Sequence, residues 1–162
     1  MIPEEVLKAL NKQLNSELYS AYLYLSMASY FDEKGLGGFS QWMKIQAKEE
    51  LEHAMKIYDY IYSREGRVVL EEIKAPPREW STVSEVFKQA LEHERNVTRS
   101  IHQLVDLARS LNDKATEVFL SWFVEEQVEE EKQFSEILQL LELAGETPQS
   151  LLLLNAKLGE RK

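Results

Sequence analysis

Residues 39–60, FSQWMKIQAKEELEHAMKIYDY, set Phe39, Met43, Gln46, Glu50, His53, Ile57 and Tyr60 at alternating spacings of three and four. Positions three and four apart share one face of an α-helix, so this spacing draws a single stripe along a helix. A stripe that is apolar at both ends faces a bundle core. Glu50 and His53, three residues apart, therefore project together into a core from near the middle of their helix.

Three other stretches carry the same pattern. One runs Leu7, Leu10, Leu14, Glu17, Ala21, Tyr24, Ala28 and Phe31, and another Val83, Phe87, Ala90, Glu94, Val97, Ile101, Leu104 and Ala108. Each has one charged member, near its centre. The last runs Leu120, Phe123, Gln127, Glu130, Phe134, Ile137 and Leu141, again with a polar pair three apart. Glu94 follows Glu17, Gln127 follows Glu50 and Glu130 follows His53 each by 77 positions. Intruders that sit mid-helix converge at the centre of a bundle whichever way each helix runs.

Glycine and proline punctuate these stretches at Gly35–Gly38, Gly66, Pro76-Pro77 and Gly145, with Asn112-Asp113 as a further break. The intervals predict helices at about 4–33, 38–64, 82–110 and 113–144. Thr82-Val83-Ser84-Glu85 reads as a capping box, and Thr147-Pro148 opens a short fifth helix at about 148–158. Only the connection from Gly66 to Ser81 is long. About 15 extended residues cover roughly 50 Å against roughly 42 Å for a helix of about 28 residues, so this segment can run the length of the bundle. The expected architecture is all-α: two antiparallel hairpins forming a four-helix bundle over about 4–144, a lengthwise crossover between helices two and three, and residues 1–162 as one domain.

The 162 residues, 44% of them hydrophobic, suffice for one core. A formal charge of -9 disfavours nucleic acid and favours cations. The absence of cysteine excludes disulfides, thiolate metal sites, iron–sulfur clusters and cysteine nucleophiles. Met1-Ile2-Pro3-Glu4-Glu5 lacks the features of a signal peptide and no apolar run reaches membrane-spanning length, so a cytoplasmic protein without membrane attachment is expected.

Four carboxylates in a core need compensation. Each uncompensated buried carboxylate costs several kcal/mol, and a domain has only roughly 5–15 kcal/mol of stability. No Lys or Arg lies on the seams near them, whereas two divalent ions bring four positive charges against four carboxylates. Oxygen ligands with one imidazole suit Fe(II) or Mn(II), with zinc as a competitor. Glu50 can bridge two ions, with Glu17 and His53 completing one and Glu94 and Glu130 the other. Gln127 carries no charge and suits an orienting or dioxygen-facing role. Oxidation of both ions would add two charges that four carboxylates cannot balance, which favours release of the product.

Glu17, the run Glu49-Glu50-Leu51-Glu52-His53, Glu94 and the run Glu126-Gln127-Val128-Glu129-Glu130 together resemble the ferroxidase centre of bacterial non-haem ferritins, and the similarity extends over essentially the whole chain. The resemblance implies a homo-oligomeric cage of twenty-four subunits that oxidises Fe(II) with dioxygen or peroxide and stores ferric oxyhydroxide inside. It implies two irons per subunit, on Glu17, Glu50 and His53 and on Glu50, Glu94 and Glu130, with Gln127 beside them. It further implies a third position at Glu49, Glu126, Glu129 and Glu130, and an electron-donating role for Tyr24 and, on the same grounds, Trp122. His93 and His102 fall off the seam and read as surface residues. Where bacterioferritins carry a second Glu-x-x-His motif, this chain has Gln127-x-x-Glu130, and Leu51 replaces their haem-ligating methionine, so no haem is expected.

Two rival readings use similar ligands. A peroxide-scavenging or oxygen-activating di-iron enzyme would need no fifth helix, and rubrerythrins need a cysteine-bound iron that this sequence cannot supply. A DNA-protecting mini-ferritin would place its iron between subunits, whereas here one chain carries the whole ligand set.

Overall fold

The computed structural model describes residues 1–162 and contains five helices: α1 Glu4–Glu33, α2 Gly37–Ser63, α3 Val83–Ser110, α4 Lys114–Ala144 and α5 Pro148–Leu158. Local chemistry sets their ends. Glu4 and Glu5 in the first turn of α1 complement its positive terminus. Asp113 accepts from the Thr116 amide at the start of α4, and Thr147 does the same for Ser150 ahead of Pro148 in α5. The predicted capping box forms with a shift: Thr82 accepts from the Glu85 amide at 3.1 Å, while the Glu85 carboxylate reaches the amide of Ser81 rather than that of Thr82.

Four helices stop on a residue with positive φ, α4 at Gly145 among them, and in the other three the next amide bonds back to a carbonyl five residues earlier. At α1 this residue is Gly35 (φ 75°), with Leu36 N donating to Phe31 O at 2.9 Å. At α2 it is Glu65 (φ 61°) and at α3 Asn112 (φ 55°). Gly66, the residue that marks the α2 break in the sequence, serves another purpose. A Cβ there would lie 2.7 Å from Leu7 Cδ1, so its missing side chain lets the loop close onto α1.

The crossover between Ser63 and Val83 runs lengthwise along α1, held by asparagine side chains. Asn11 bonds the carbonyl of Arg67 and the amide of Val69, and Asn15 bonds the carbonyl of Val69 and the amide of Glu71, all between 2.7 and 2.9 Å. Further along, Ser26 donates to the Pro77 carbonyl and Trp80 meets the Tyr30 ring edge-on. The loop thus carries the chain back to the far end of α1, so α3 runs in the same direction as α2 but packs beside α1, antiparallel to it. Contacts of Ser20 with His93, Tyr24 with Glu94 and Phe31 with Phe87 fix that register.

Every seam residue predicted on α3 and α4 is buried. The core is not continuous. One apolar cluster, around Phe31, Phe39, Phe87 and Phe134, fills the end where α5 packs; another, around Leu10, Ile57, Ile101 and Phe123, fills the opposite end. Between them lies a layer of buried polar side chains from all four long helices.

α5 docks on the start of α2, whose N-cap Leu36 offers no side-chain cap. Asn155 supplies one from across the fold, its Oδ1 accepting from the amides of Gly38 at 2.6 Å and Phe39 at 3.1 Å. A Cβ on Gly38 would lie 1.7 Å from the Asn155 carbonyl oxygen. Glycine is the residue this contact requires.

Candidate metal centre

The polar layer brings together Glu17 from α1, Gln46, Glu50 and His53 from α2, Glu94 from α3, and Gln127 and Glu130 from α4, each at most 4% exposed. Their ligand atoms form three groups, in each of which all atoms lie within 4.8 Å of one another: Glu17, Glu50 and His53; Glu50, Glu94 and Glu130; and His53, Glu126 and Glu130. Glu50 is common to the first two groups and sits where one carboxylate can face two ions. His53 Nδ1 is 3.2 Å from Glu50 and 3.9 Å from Glu17.

Amides and a phenol hold the carboxylates in place. Gln13 Nε2 donates to Glu17 at 3.1 Å, and Gln46 Nε2 to Glu50 at 2.9 Å and Glu130 at 2.6 Å. Gln127 Nε2 donates to the Glu94 carboxylate at 3.1 Å, and the Tyr24 hydroxyl donates to the other oxygen of Glu94. Each partner orients a carboxylate without supplying positive charge.

The electrostatic consequence is visible in proton affinity. Burial raises the Glu17 and Glu50 carboxyls well above the usual range, with the neighbouring Glu50 and Glu94 respectively adding to the effect. Glu94 is raised by burial and Glu130 is pushed up to about 9 by burial and by Glu94. Burial and Glu94 likewise raise the Tyr24 hydroxyl, so it stays a donor. Glu17 Oε2 is buried with no hydrogen-bond partner. An acceptor left open in the first group, inside a cluster short of positive charge, is what a cation-binding layer presents. The donor set of carboxylates and one imidazole fits Fe(II) or Mn(II) and offers no soft ligand.

Tyr24 stacks on Phe134 with centroids 5.4 Å apart, and Phe134 meets Trp42 edge-on. These rings wall the site toward α5. Trp122 packs edge-on against His53 at 5.3 Å with Lys56 over its indole at 3.9 Å. Of the residues expected at a third position, Glu126 joins His53 and Glu130, Glu129 points outward, and Glu49 is paired with Arg161 at 3.0 Å.

His93 departs from its expected surface position. Pairing of α1 with α3 covers it, Ser20 Oγ lies 2.7 Å from its Nε2, and burial lowers its pKa to about 4. His102 is exposed as expected. Sequence reasoning passed over Gln46, although it stands on the seam one turn before Glu50 and is fully buried. Gln13 gave a weaker signal, one turn before Glu17 but off the apolar seam. Arg161 gave none, because its place depends on how α5 docks.

Comparison with known proteins gives consistent results. The family model described as ferritin-like domain matches residues 7–144. A bacterial non-heme ferritin of Bacteroides fragilis is 42% identical over 161 residues, covering 99% of this chain and 100% of its own. One from Staphylococcus epidermidis is 43% identical, with 99% and 97% covered. Among solved structures, an open-pore ferritin from the hyperthermophilic archaeon Archaeoglobus fulgidus superposes with a TM-score of 0.98 at 51% identity, with both chains covered completely.

Proposed function

The chain belongs to the ferritin family, and we propose that it stores iron by oxidising Fe(II) at a paired site inside each bundle and passing the ferric product into a hollow multi-subunit cage. The observation that carries this reading is the buried layer itself: four carboxylates and an imidazole, no Lys or Arg among the layer's own helical residues, and the unpaired Glu17 Oε2. Such a layer is costly empty and favourable filled.

Fe(II) is the substrate. Glu17, Glu50 and His53 bind one ion and Glu50, Glu94 and Glu130 the other, with Glu50 shared. Gln46, Gln127 and Tyr24 keep Glu50, Glu130 and Glu94 turned inward, so little reorganisation is left for binding. Binding displaces protons from the upshifted carboxyls. Two Fe(II) supply two electrons, enough to reduce one dioxygen with two protons to hydrogen peroxide. The two ferric ions then exceed by two the charge that four carboxylates offset, and hydrolysis to oxyhydroxide outside the layer draws them away. Tyr24, bonded to Glu94, is placed to give the oxidant, dioxygen or peroxide, one electron beyond the two from iron, while its proton passes to that carboxylate.

The non-haem type is supported by Gln127 standing where a second histidine motif would require glutamate, and by relatives named bacterial non-heme ferritins at 42–43% identity. We assign two irons per chain, a cage of twenty-four subunits, dioxygen or peroxide as oxidant and a cytoplasmic setting; no helix is long and apolar enough to cross a membrane.

The test is to purify the apoprotein, measure its assembly size and add excess Fe(II) in air. Storage predicts uptake far beyond two irons per chain, with Glu50→Ala and His53→Ala slowing the initial oxidation. Uptake that stops at about two would reject storage.

A further inference from the structure

Between α1 and α3, beside the polar layer, lies a cleft of about 300 Å³, across which Lys12, Gln13 and Ser16 face Ser100, Gln103 and Leu104. The register that sets Ser20 against His93 brings Gln13 opposite Ser100, seven residues back on α1 and seven on along α3. The short side chains of Ser16 and Ser100 leave the gap open.

Gln13 forms its floor. That residue is 4% exposed, and its one side-chain hydrogen bond runs from Nε2 to Glu17 Oε1 at 3.1 Å. The other oxygen of Glu17, Oε2, is buried without a partner. One amide thus lines the cleft on one side and touches a ligand of the first ion on the other. Elsewhere aromatic rings wall the layer, Phe134 against Trp42 toward α5 and Phe123 against His53 toward the opposite end.

Charge decides what can use the cleft. Lys12 is the only charged residue on its walls, and no carboxylate lines it. A cleft of that sign repels a divalent cation, which would also have to shed water where nothing compensates its charge. Dioxygen and hydrogen peroxide are uncharged, meet no such barrier and are small enough to enter. Peroxide can exchange hydrogen bonds with the hydroxyls of Ser16 and Ser100 and the amide of Gln13, and dioxygen can rest against Leu104. The α2–α4 side of the layer is the reverse, since Glu126 there offers a carboxylate oxygen within 4.8 Å of ligand atoms of His53 and Glu130.

We propose that the cleft between α1 and α3 is the entry and holding site for the small uncharged oxidant, which reaches the ion at Glu17 past the Gln13 amide, while Fe(II) arrives from the acidic α2–α4 side. This rests on the paired-ion reading of the layer given above.

The chain has no cysteine, so a single thiol placed in the cleft is the only one a maleimide finds. Full-length, assembled Ser100→Cys is compared before and after reaction with N-phenylmaleimide, and Gln103→Cys takes its place if Ser100→Cys does not assemble. Each sample is loaded anaerobically with Fe(II) and then mixed with graded dioxygen or hydrogen peroxide, and a separate anaerobic arm follows the rate of Fe(II) loading. The unlabelled variant behaves as the wild type. The label raises the oxidant concentration needed for half-maximal oxidation by about tenfold or more, with the rate at saturating oxidant and the rate of Fe(II) loading unchanged. An effect on one oxidant alone supports the proposal for that oxidant. Unchanged dependence on both oxidants, slowed Fe(II) loading, a lower saturated rate, or a thiol that the maleimide cannot reach in the assembled protein overturns it. A wild type that takes up no Fe(II) pair overturns the paired-ion reading, and the role of the cleft with it.

Discussion

Replacing Glu50 by glutamine should stabilise the metal-free protein while removing its response to cations. Glu50 is 1% exposed, accepts from Gln46 and faces His53, with Glu17 within hydrogen-bonding reach. Glutamine has nearly the same volume, keeps an oxygen for Gln46 and sets an amide where Glu50 Oε2 faces His53 Nδ1 at 3.2 Å, with the Glu17 carboxylate beside it. Removing one charge from a layer of four relieves desolvation and repulsion worth on the order of 2 kcal/mol, once proton uptake and relaxation are allowed for. For a chain of this size 1 kcal/mol moves the melting temperature by about 2–4 °C, so metal-free Glu50→Gln should melt ~4–8 °C above the wild type. A divalent cation at about 100 times its dissociation constant stabilises the wild type by about 2.7 kcal/mol. The variant, lacking the shared ligand, should lose most of that gain, and the order of the two melting temperatures should narrow or reverse. Calorimetry in chelator and then in Mn(II), on protein of matched assembly size, measures both. A metal-free variant that melts below the wild type, or one that gains as much from Mn(II), refutes the reasoning.

Two further outcomes follow from the same structure. Between the ordinary glutamate pKa and the raised values of Glu17, Glu50, Glu94 and Glu130, the folded metal-free protein binds more protons than the unfolded chain, so its stability falls as pH rises from about 4.5 to about 9. Melting of the chelated protein at pH 5.5 and 8.5 should show the drop, saturating Mn(II) should flatten it, and a rise with pH would contradict the assignment. Gly38→Ala forces a Cβ into the Asn155 carbonyl and should displace α5, costing about 1–3 kcal/mol; limited proteolysis should then cut near residues 145–160 while the four long helices resist, and protection equal to the wild type would count against the docking contact.

Much of the fold was legible because each determinant is local. Helix ends follow from Gly35, Thr82, Asp113, Thr147 and Pro148, and the observed boundaries fall within one residue of those expected. The lengthwise crossover followed from reach alone, but its fastening did not: Asn11 and Asn15 lie off the apolar seam of α1, and their bonds exist only once the loop lies beside them. The position of the carboxylates could be read because charge on an apolar seam is conspicuous, and their common register put them in one layer. Gln46 was less conspicuous, since an uncharged amide on a seam reads as neutral although it touches both Glu50 and Glu130. His93 was misplaced because its burial depends on the packing of α1 against α3. Glu65 shows the same limit: Gly66 marked the break, but the left-handed conformation falls one residue earlier. Arg161 depends on two successive tertiary events, docking of α5 and then of the tail, and no local pattern encodes either.

The central claim is that Glu50 is shared by two ions in the middle of each bundle. Crystals soaked anaerobically in Fe(II), with data collected on either side of the iron absorption edge, test it directly. Two anomalous peaks per chain are expected within the buried layer, one against Glu17 and His53, one against Glu94 and Glu130, with Glu50 reaching both. Iron bound only at exposed carboxylates, with none between Glu17 and Glu130, would contradict it.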